Sequence, residues 1–208
     1  MKARLLLPFA VSVLFTFCAI STHSQTVITF DDLHETGSGS FIRGTYQGLT
    51  WSNFGCLSGI LNPTDDYPHL TNGFYYGVVS VSNVAVNAGG QPAQIDSVAD
   101  FNFLSAYLTG GWHSNLSIEV QGFRGGISLY DTTVVASATS PTLFTFDYLN
   151  VDRLYFNSFG GEVAFGFDGG NQFAMDNFTF EFVPEPSTLL LTGAGVLTLC
   201  ALRKRRRA

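Results

Sequence analysis

Apolar and polar residues alternate in short runs along most of the chain, and the runs are separated by turn residues. Ten segments carry the pattern: Val27–Asp32, Thr45–Trp51, Val78–Val86, Ser97–Phe103, Ser117–Phe123, Ile127–Val135, Leu143–Phe146, Arg153–Phe156, Val163–Phe167 and Phe173–Phe182. Alternation with period two is the signature of half-buried strands. Between them stand Gly37-Ser38-Gly39, Asn62-Pro63, Gly89-Gly90-Gln91-Pro92, Gly110-Gly111, Gly125-Gly126, Gly160-Gly161 and Gly169-Gly170. No segment shows a convincing helical period, and no repeat recurs at a solenoid or propeller spacing. The pattern predicts an all-β fold, a jelly-roll β-sandwich of about ten strands. The Phe-rich stripes are its core.

Both ends of the chain break this pattern. Met1 to about Ser24 has Lys2 and Arg4, then an apolar stretch from Leu5 to Ile20, then small polar residues. That is the layout of a secretory signal peptide. At the other end no charge occurs from Pro186 to Leu202, and Arg203, Lys204, Arg205, Arg206 and Arg207 follow at once. An apolar run of this length is at the short end of the ~17–25 residues that span a bilayer. A basic flank stays on the cytoplasmic side. The division expected is a signal peptide at 1–24, an exported β-sandwich at 25–183, and a terminal segment at 184–208. That last segment holds a transmembrane helix at 187–202 and a basic cytoplasmic tail at 203–207.

Removing both ends changes the charge. The whole chain carries −6, but residues 25–183 hold three arginines (Arg43, Arg124, Arg153), no lysine and fifteen acidic residues, a net charge of −12. Nucleic-acid binding is excluded, because its affinity comes from Lys and Arg on phosphates. Of three cysteines only Cys56 lies in this region, which offers no disulfide framework.

Val183-Pro184-Glu185-Pro186-Ser187-Thr188, a short apolar run and an Arg-rich end resemble the PEP-CTERM sorting signal. The resemblance implies a Gram-negative bacterial protein recognised by a membrane-embedded exosortase, a transpeptidase-like cysteine protease. It implies cutting near Pro184, Glu185 and Pro186 and passage to the cell surface or extracellular matrix. The layout of Ile28-Thr29-Phe30-Asp31-Asp32, Gly48-Leu49-Thr50-Trp51-Ser52-Asn53-Phe54 and Met175-Asp176-Asn177-Phe178 resembles jelly-roll ectodomains that accompany such tails. More distantly it is similar to carbohydrate-binding modules.

Two carboxylates stand out by phase. Asp32 falls on the strand face of Ile28 and Phe30, and Asp176 on that of Phe178, Phe180 and Phe182. Side chains alternate across a strand, so both acids are expected toward the core. A buried carboxylate needs a partner. Structural Ca2+, bound through six to eight oxygens, supplies one, and the resembling jelly rolls imply such an ion between first and last strands. Asp31, Asp32 and Asp176 are the expected ligands. The alternative is that they cap turns or accept backbone N–H bonds.

For sugar binding, Tyr107 and Trp112 in Tyr107-Leu108-Thr109-Gly110-Gly111-Trp112-His113-Ser114-Asn115 are the first candidates; Tyr67, Tyr75, Tyr76 and Trp51 come second. Each also suits a core, since aromatics dominate cores. His34, His69 and His113 show no metal-ligand spacing, and no Gly-x-Ser-x-Gly elbow occurs. The expected function is a non-catalytic surface protein binding extracellular polysaccharide. The alternatives are a self-associating or protein-binding structural surface component, and a glycoside hydrolase-like enzyme.

Overall fold

The computed structural model describes residues 24–33, 39–60, 71–184 and 195. Residues 1–23 of the signal peptide, Glu185, Pro186, the apolar run at 187–202 apart from Gly195, and the basic tail, with His34, Tyr67 and His69, lie outside the described residues. The strands are β1 (Thr26–Ile28), β2 (Ser40–Phe41), β3 (Thr45–Tyr46), β4 (Leu49–Ser52), β5 (Phe54–Ser58), β6 (Asn83–Asn87), β7 (Ala93–Gly110), β8 (His113–Ser114), β9 (Leu116–Arg124), β10 (Ile127–Ala136), β11 (Thr142–Phe159), β12 (Glu162–Val163) and β13 (Phe173–Phe182). One short helix, α1, spans Gly73–Tyr76.

Two very long strands make the sandwich. Residues 93–96 of β7 pair with β4 on one side and with 153–156 of β11 on the other. Residues 101–110 of the same strand pair with β13 and with 142–151 of β11. Both strands therefore turn a corner and serve two sheets. Sheet I reads β3-β4-β7-β11-β9-β10, and sheet II reads β11-β7-β13-β6-β5-β2, with β1 beside β13. Hydrogen bonding runs through the corner, so the eleven strands form one continuous ladder. In β11 the corner comes with register breaks between Thr145 and Arg153 and with positive φ at Asp147 (49°) and Asn150 (55°). Asn and Asp tolerate that left-handed backbone better than other side-chain-bearing residues.

The all-β expectation holds, with corrections in detail. Leu143–Phe146 and Arg153–Phe156 belong to one bent strand. The first strand stops at Ile28, because Phe30 turns to φ 63°. Thr45–Trp51 is a hairpin turned at Gln47-Gly48.

The core between the sheets is aromatic. Phe54, Phe103, Phe156, Phe173 and Phe178 are fully buried, and Phe103 stacks against Phe146 and Phe178 with centroids 4.8 Å apart in each pair. Trp51 is buried among Phe30, Phe54 and Phe178, and Cys56 is buried in the same cluster. A second, smaller cluster lies on the outer side of sheet II, where α1 roofs Val84, Val86 and Ala174 with Phe74. Gly73 makes that roof fit: a Cβ there would stand 1.7 Å from the Gly110 carbonyl oxygen. Among the described residues, every strand and the whole core lie between Thr26 and Phe182.

The strand directions define two ends. Thr26 pairs with Phe180, and Val183 donates to the Asp100 carbonyl at 2.9 Å, so both flanks leave from one end. The Arg124–Asp100 ion pair and the Gly125-Gly126 turn lie there too. Phe173, Gly110 and Phe159 mark the far end. The ten residues of β13 separate the two by about 30 Å, at ~3.3 Å per residue.

Candidate functional site

The far end is built from α1, the Gly110–Ser114 turn and the segment 160–172. Asn72 caps α1 by accepting from the Phe74 and Tyr75 N–H groups at 3.1 and 3.2 Å. The helix is then a rigid three-residue aromatic display of Phe74, Tyr75 and Tyr76. Trp112 stands edge-on to Phe74 (5.5 Å between centroids) and to Phe167 (5.4 Å). Its Nε1 donates to Gln172 at 3.0 Å. Gly169 lies directly on the indole; a Cβ there would be 2.4 Å from the ring. Tyr76 stacks on Phe165. The solvent-facing members of this wall are Tyr75, 49% exposed, and Phe167, 57% exposed.

A polar clamp fixes the loop that carries Phe165 and Phe167. His113 Nδ1 faces the Gly160 carbonyl at 3.0 Å, and Nε2 faces the Asp168 carboxylate at 2.9 Å. Both ring nitrogens meet acceptors, and only the imidazolium can donate to both. Burial favours the neutral ring, but the carbonyl and the carboxylate outweigh it and raise the His113 pKa above its ordinary value. The Asp168 pKa is lowered, by the Gly170 N–H and by His113.

The sequence candidates separate. Trp112 belongs to this end, as a half-buried pillar that supports the loop. Tyr75 and Tyr76 join it. Tyr107 sits on sheet II opposite Asp176 and Leu143, and makes no ring contact among the described residues. Trp51 is core. His113–Asp168 spans 55 positions, and no spacing rule points to it.

Asp32 and Asp176 are placed differently from the core-facing expectation. Asn177 takes φ 48° and the β13–β7 register shifts after Asp176. This break turns Asp176 to the outer side of sheet II, while Met175 and Phe178 face the core. There Asp176 Oδ2 accepts from Val79 N (2.7 Å), Ser80 N (2.8 Å) and Ser80 Oγ (3.0 Å), and Oδ1 accepts from Asn177 N (2.6 Å). Asp31 grips the next stretch of the same segment, accepting from Val81 N (3.2 Å), Ser82 N (2.8 Å) and Asn83 N (3.0 Å). Asp32 is exposed and accepts from the Tyr46 hydroxyl and Gln47. Burial opposes ionisation of Asp31, yet these N–H groups win and lower its pKa to about 2. For Asp176 burial wins, and the pKa is raised. These oxygens point at N–H groups, and N–H dipoles repel a cation. The Asp31 and Asp176 oxygens are thus engaged by N–H groups, and no group of three or more His, Cys, Asp or Glu that could hold a metal occurs among the described residues. Asp31 and Asp176 lock the junction where β1 ends, β6 begins and β13 bulges.

Fold and chain ends together define an exported β-sandwich protein. Residues 182–207 match the PEP-CTERM protein-sorting motif. Pro184, the first residue of its tripeptide, stands two residues beyond the end of β13. No curated protein matches the chain in sequence. Among solved structures it is similar to a DUF4465 family protein from Bacteroides ovatus (10% identity, 76% of this chain and 99% of that one covered, TM-score 0.47). It is also similar to the K1 cleaved adhesin domain of Lys-gingipain from Porphyromonas gingivalis (8%, 78% and 99%, 0.41). A third similar structure is a carbohydrate-binding module from Clostridium perfringens in complex with methyl-galactose (12%, 74% and 99%, 0.31). All three likenesses are distant.

Proposed function

We propose that this is a non-catalytic protein of the cell surface or extracellular matrix whose far end binds extracellular polysaccharide. The observation that carries the reading is the solvent-facing aromatic wall of Tyr75 and Phe167, backed by Trp112 and bordered by Asp168 and Gln172. Aromatic rings take the C–H faces of sugar rings, and nearby carboxylate and amide groups take hydroxyls. The net charge of −12 favours a neutral polymer over a polyanionic one.

The sorting segment fits the same reading. The apolar run at 187–202 holds the exported chain in the inner membrane, with the basic residues 203–207 in the cytoplasm of a Gram-negative cell. An exosortase then cuts near Pro184-Glu185-Pro186. Because the chain leaves from the opposite end, β13 holds the aromatic wall about 30 Å outward from the point of attachment.

Co-sedimentation of residues 25–183 with the host's own extracellular polysaccharide tests the reading. Saturable binding is expected, and the double variant Tyr75→Ala/Phe167→Ala is expected to lose it with the melting temperature unchanged. An unbound wild-type domain, or a double variant that binds equally well, would overturn it.

A further inference from the structure

Strand β10 is an open edge. It pairs with β9 alone, and among the described residues no backbone hydrogen bond leaves its other side. It is ten residues long, ISLYDTTVVA, and nine of its positions are exposed or half-exposed on an edge rich in Thr and Val. Edge strands are normally blunted by lysine, proline, a bulge or shortness. This one has no lysine, arginine or proline, and Asp131 is its one charge. Its bulge lies near the start, between Ser128 and Tyr130, which leaves Tyr130–Ala136 regular. The other edges differ: β2 and β3 are two residues each, and the open side of β11 is broken at Asp147 and Asn150.

The geometry points to a second copy of this chain as the partner, joined by antiparallel β10–β10 pairing. A two-fold axis through Thr132 sets Thr132 opposite Thr132, Asp131 opposite Thr133 and Tyr130 opposite Val134. Neither carboxylate then faces its equivalent, and Tyr130 and Val134 come opposite each other twice. A two-fold interface of this kind is self-complementary and closes at two copies. Regular pairing over Tyr130–Val134 is a small interface, and a net charge of −12 on each domain opposes it. Added salt therefore strengthens the association.

The pairing has a polarity that couples it to sorting; this part rests on the proposed membrane anchorage. Ile127 lies at the exit end and Ala136 at the far end. In an antiparallel pair the exit end of one copy stands beside the aromatic wall of the other. Two chains anchored side by side in one flat membrane cannot adopt that arrangement. Chains released by cleavage can, so cutting permits assembly, and each pair presents two aromatic walls facing opposite ways.

Sedimentation velocity of residues 25–183 over rising concentration, at low and high salt, tests the pairing. A monomer–dimer equilibrium that tightens with salt is expected. Thr132→Lys adds one charge per copy at the two-fold axis and is expected to shift dissociation at least ~10-fold with an unchanged melting temperature. Tyr75→Ala/Phe167→Ala is expected to leave it unaltered. A domain that stays monomeric throughout, or a T132K variant that dimerises equally, would overturn the pairing. For the coupling, Thr132→Cys in a Cys200→Ser background is oxidised in two forms: the released domain, and residues 25–208 in phosphatidylethanolamine/phosphatidylglycerol vesicles. Cross-linking is expected in the first alone. Equal cross-linking in vesicles would overturn the coupling and leave the pairing standing.

Discussion

Asp176 gives the sharpest energetic test. It accepts four hydrogen bonds, three from backbone N–H groups and one from the Ser80 hydroxyl, on a side chain with no solvent exposure. Asp176→Ala removes all four and strands the N–H groups of Val79, Ser80 and Asn177. Each orphaned donor costs about 1–3 kcal/mol, less where water enters. Relief of the carboxylate's own burial, which raises its pKa, offsets part of this. The net expectation is a loss of about 3–4 kcal/mol, a large share of a typical ~5–15 kcal/mol. Asp176→Asn keeps one carbonyl oxygen against Val79 and Ser80 but sets an amide N–H against that of Asn177, for a loss of about 1–2 kcal/mol. Urea unfolding of residues 25–183 at pH 7 reads the difference. With an m-value of ~2 kcal/mol/M, the midpoint of the alanine variant falls by ~1.5–2 M and that of the asparagine variant by less than 1 M. An alanine variant within 0.5 M of wild type would show that the carboxylate does not hold the Val79–Ser80 segment.

Three further outcomes follow from the geometry. Calcium or a chelator is expected to leave the melting temperature of the domain unchanged, since the Asp31 and Asp176 oxygens are taken by N–H groups; calorimetry with and without calcium checks this. The folded state raises the His113 pKa, so the clamp's contribution is full below the unfolded value near 6.5 and is lost as pH rises through the folded value. Hydrogen exchange of segment 160–170 is expected to speed up over that window in wild type and to be pH-independent, beyond its intrinsic chemistry, in His113→Gln. Mass spectrometry of surface-released protein from the native host is expected to lack residues 189–208, and their recovery would contradict processing.

Much of the fold is legible in the chain because its longer strands keep strict alternation. Leu116, Ile118 and Val120 face in while Ser117, Glu119 and Gln121 face out, and β9 forms as the pattern predicts. What escapes is what a period cannot encode. Helix α1 is four residues, too short to show a period, and it exists because Asn72 caps it and Gly73 fits under Gly110. The phase of Asp176 is reversed by one left-handed residue, Asn177, a position any alternation count runs straight through. The far-end wall was half legible: Trp112 beside Gly-Gly signalled a special turn, but its partner loop lies some 50 positions on. Only the tertiary fold brings Phe167 and Asp168 to it.

The place of β13 has a consequence for how the protein reaches its site. Among the described residues it is the last strand in the chain and an inner strand of sheet II, and it supplies Phe173, Met175, Phe178 and Phe180 to the core. Until those residues have crossed the membrane, β7 has β4 and β11 but lacks its sheet II neighbour, and β1 lacks its partner strand. The portion that has already crossed therefore cannot complete its core while β13 is still in transit. In an exported chain, folding completes only once residue 182 has emerged.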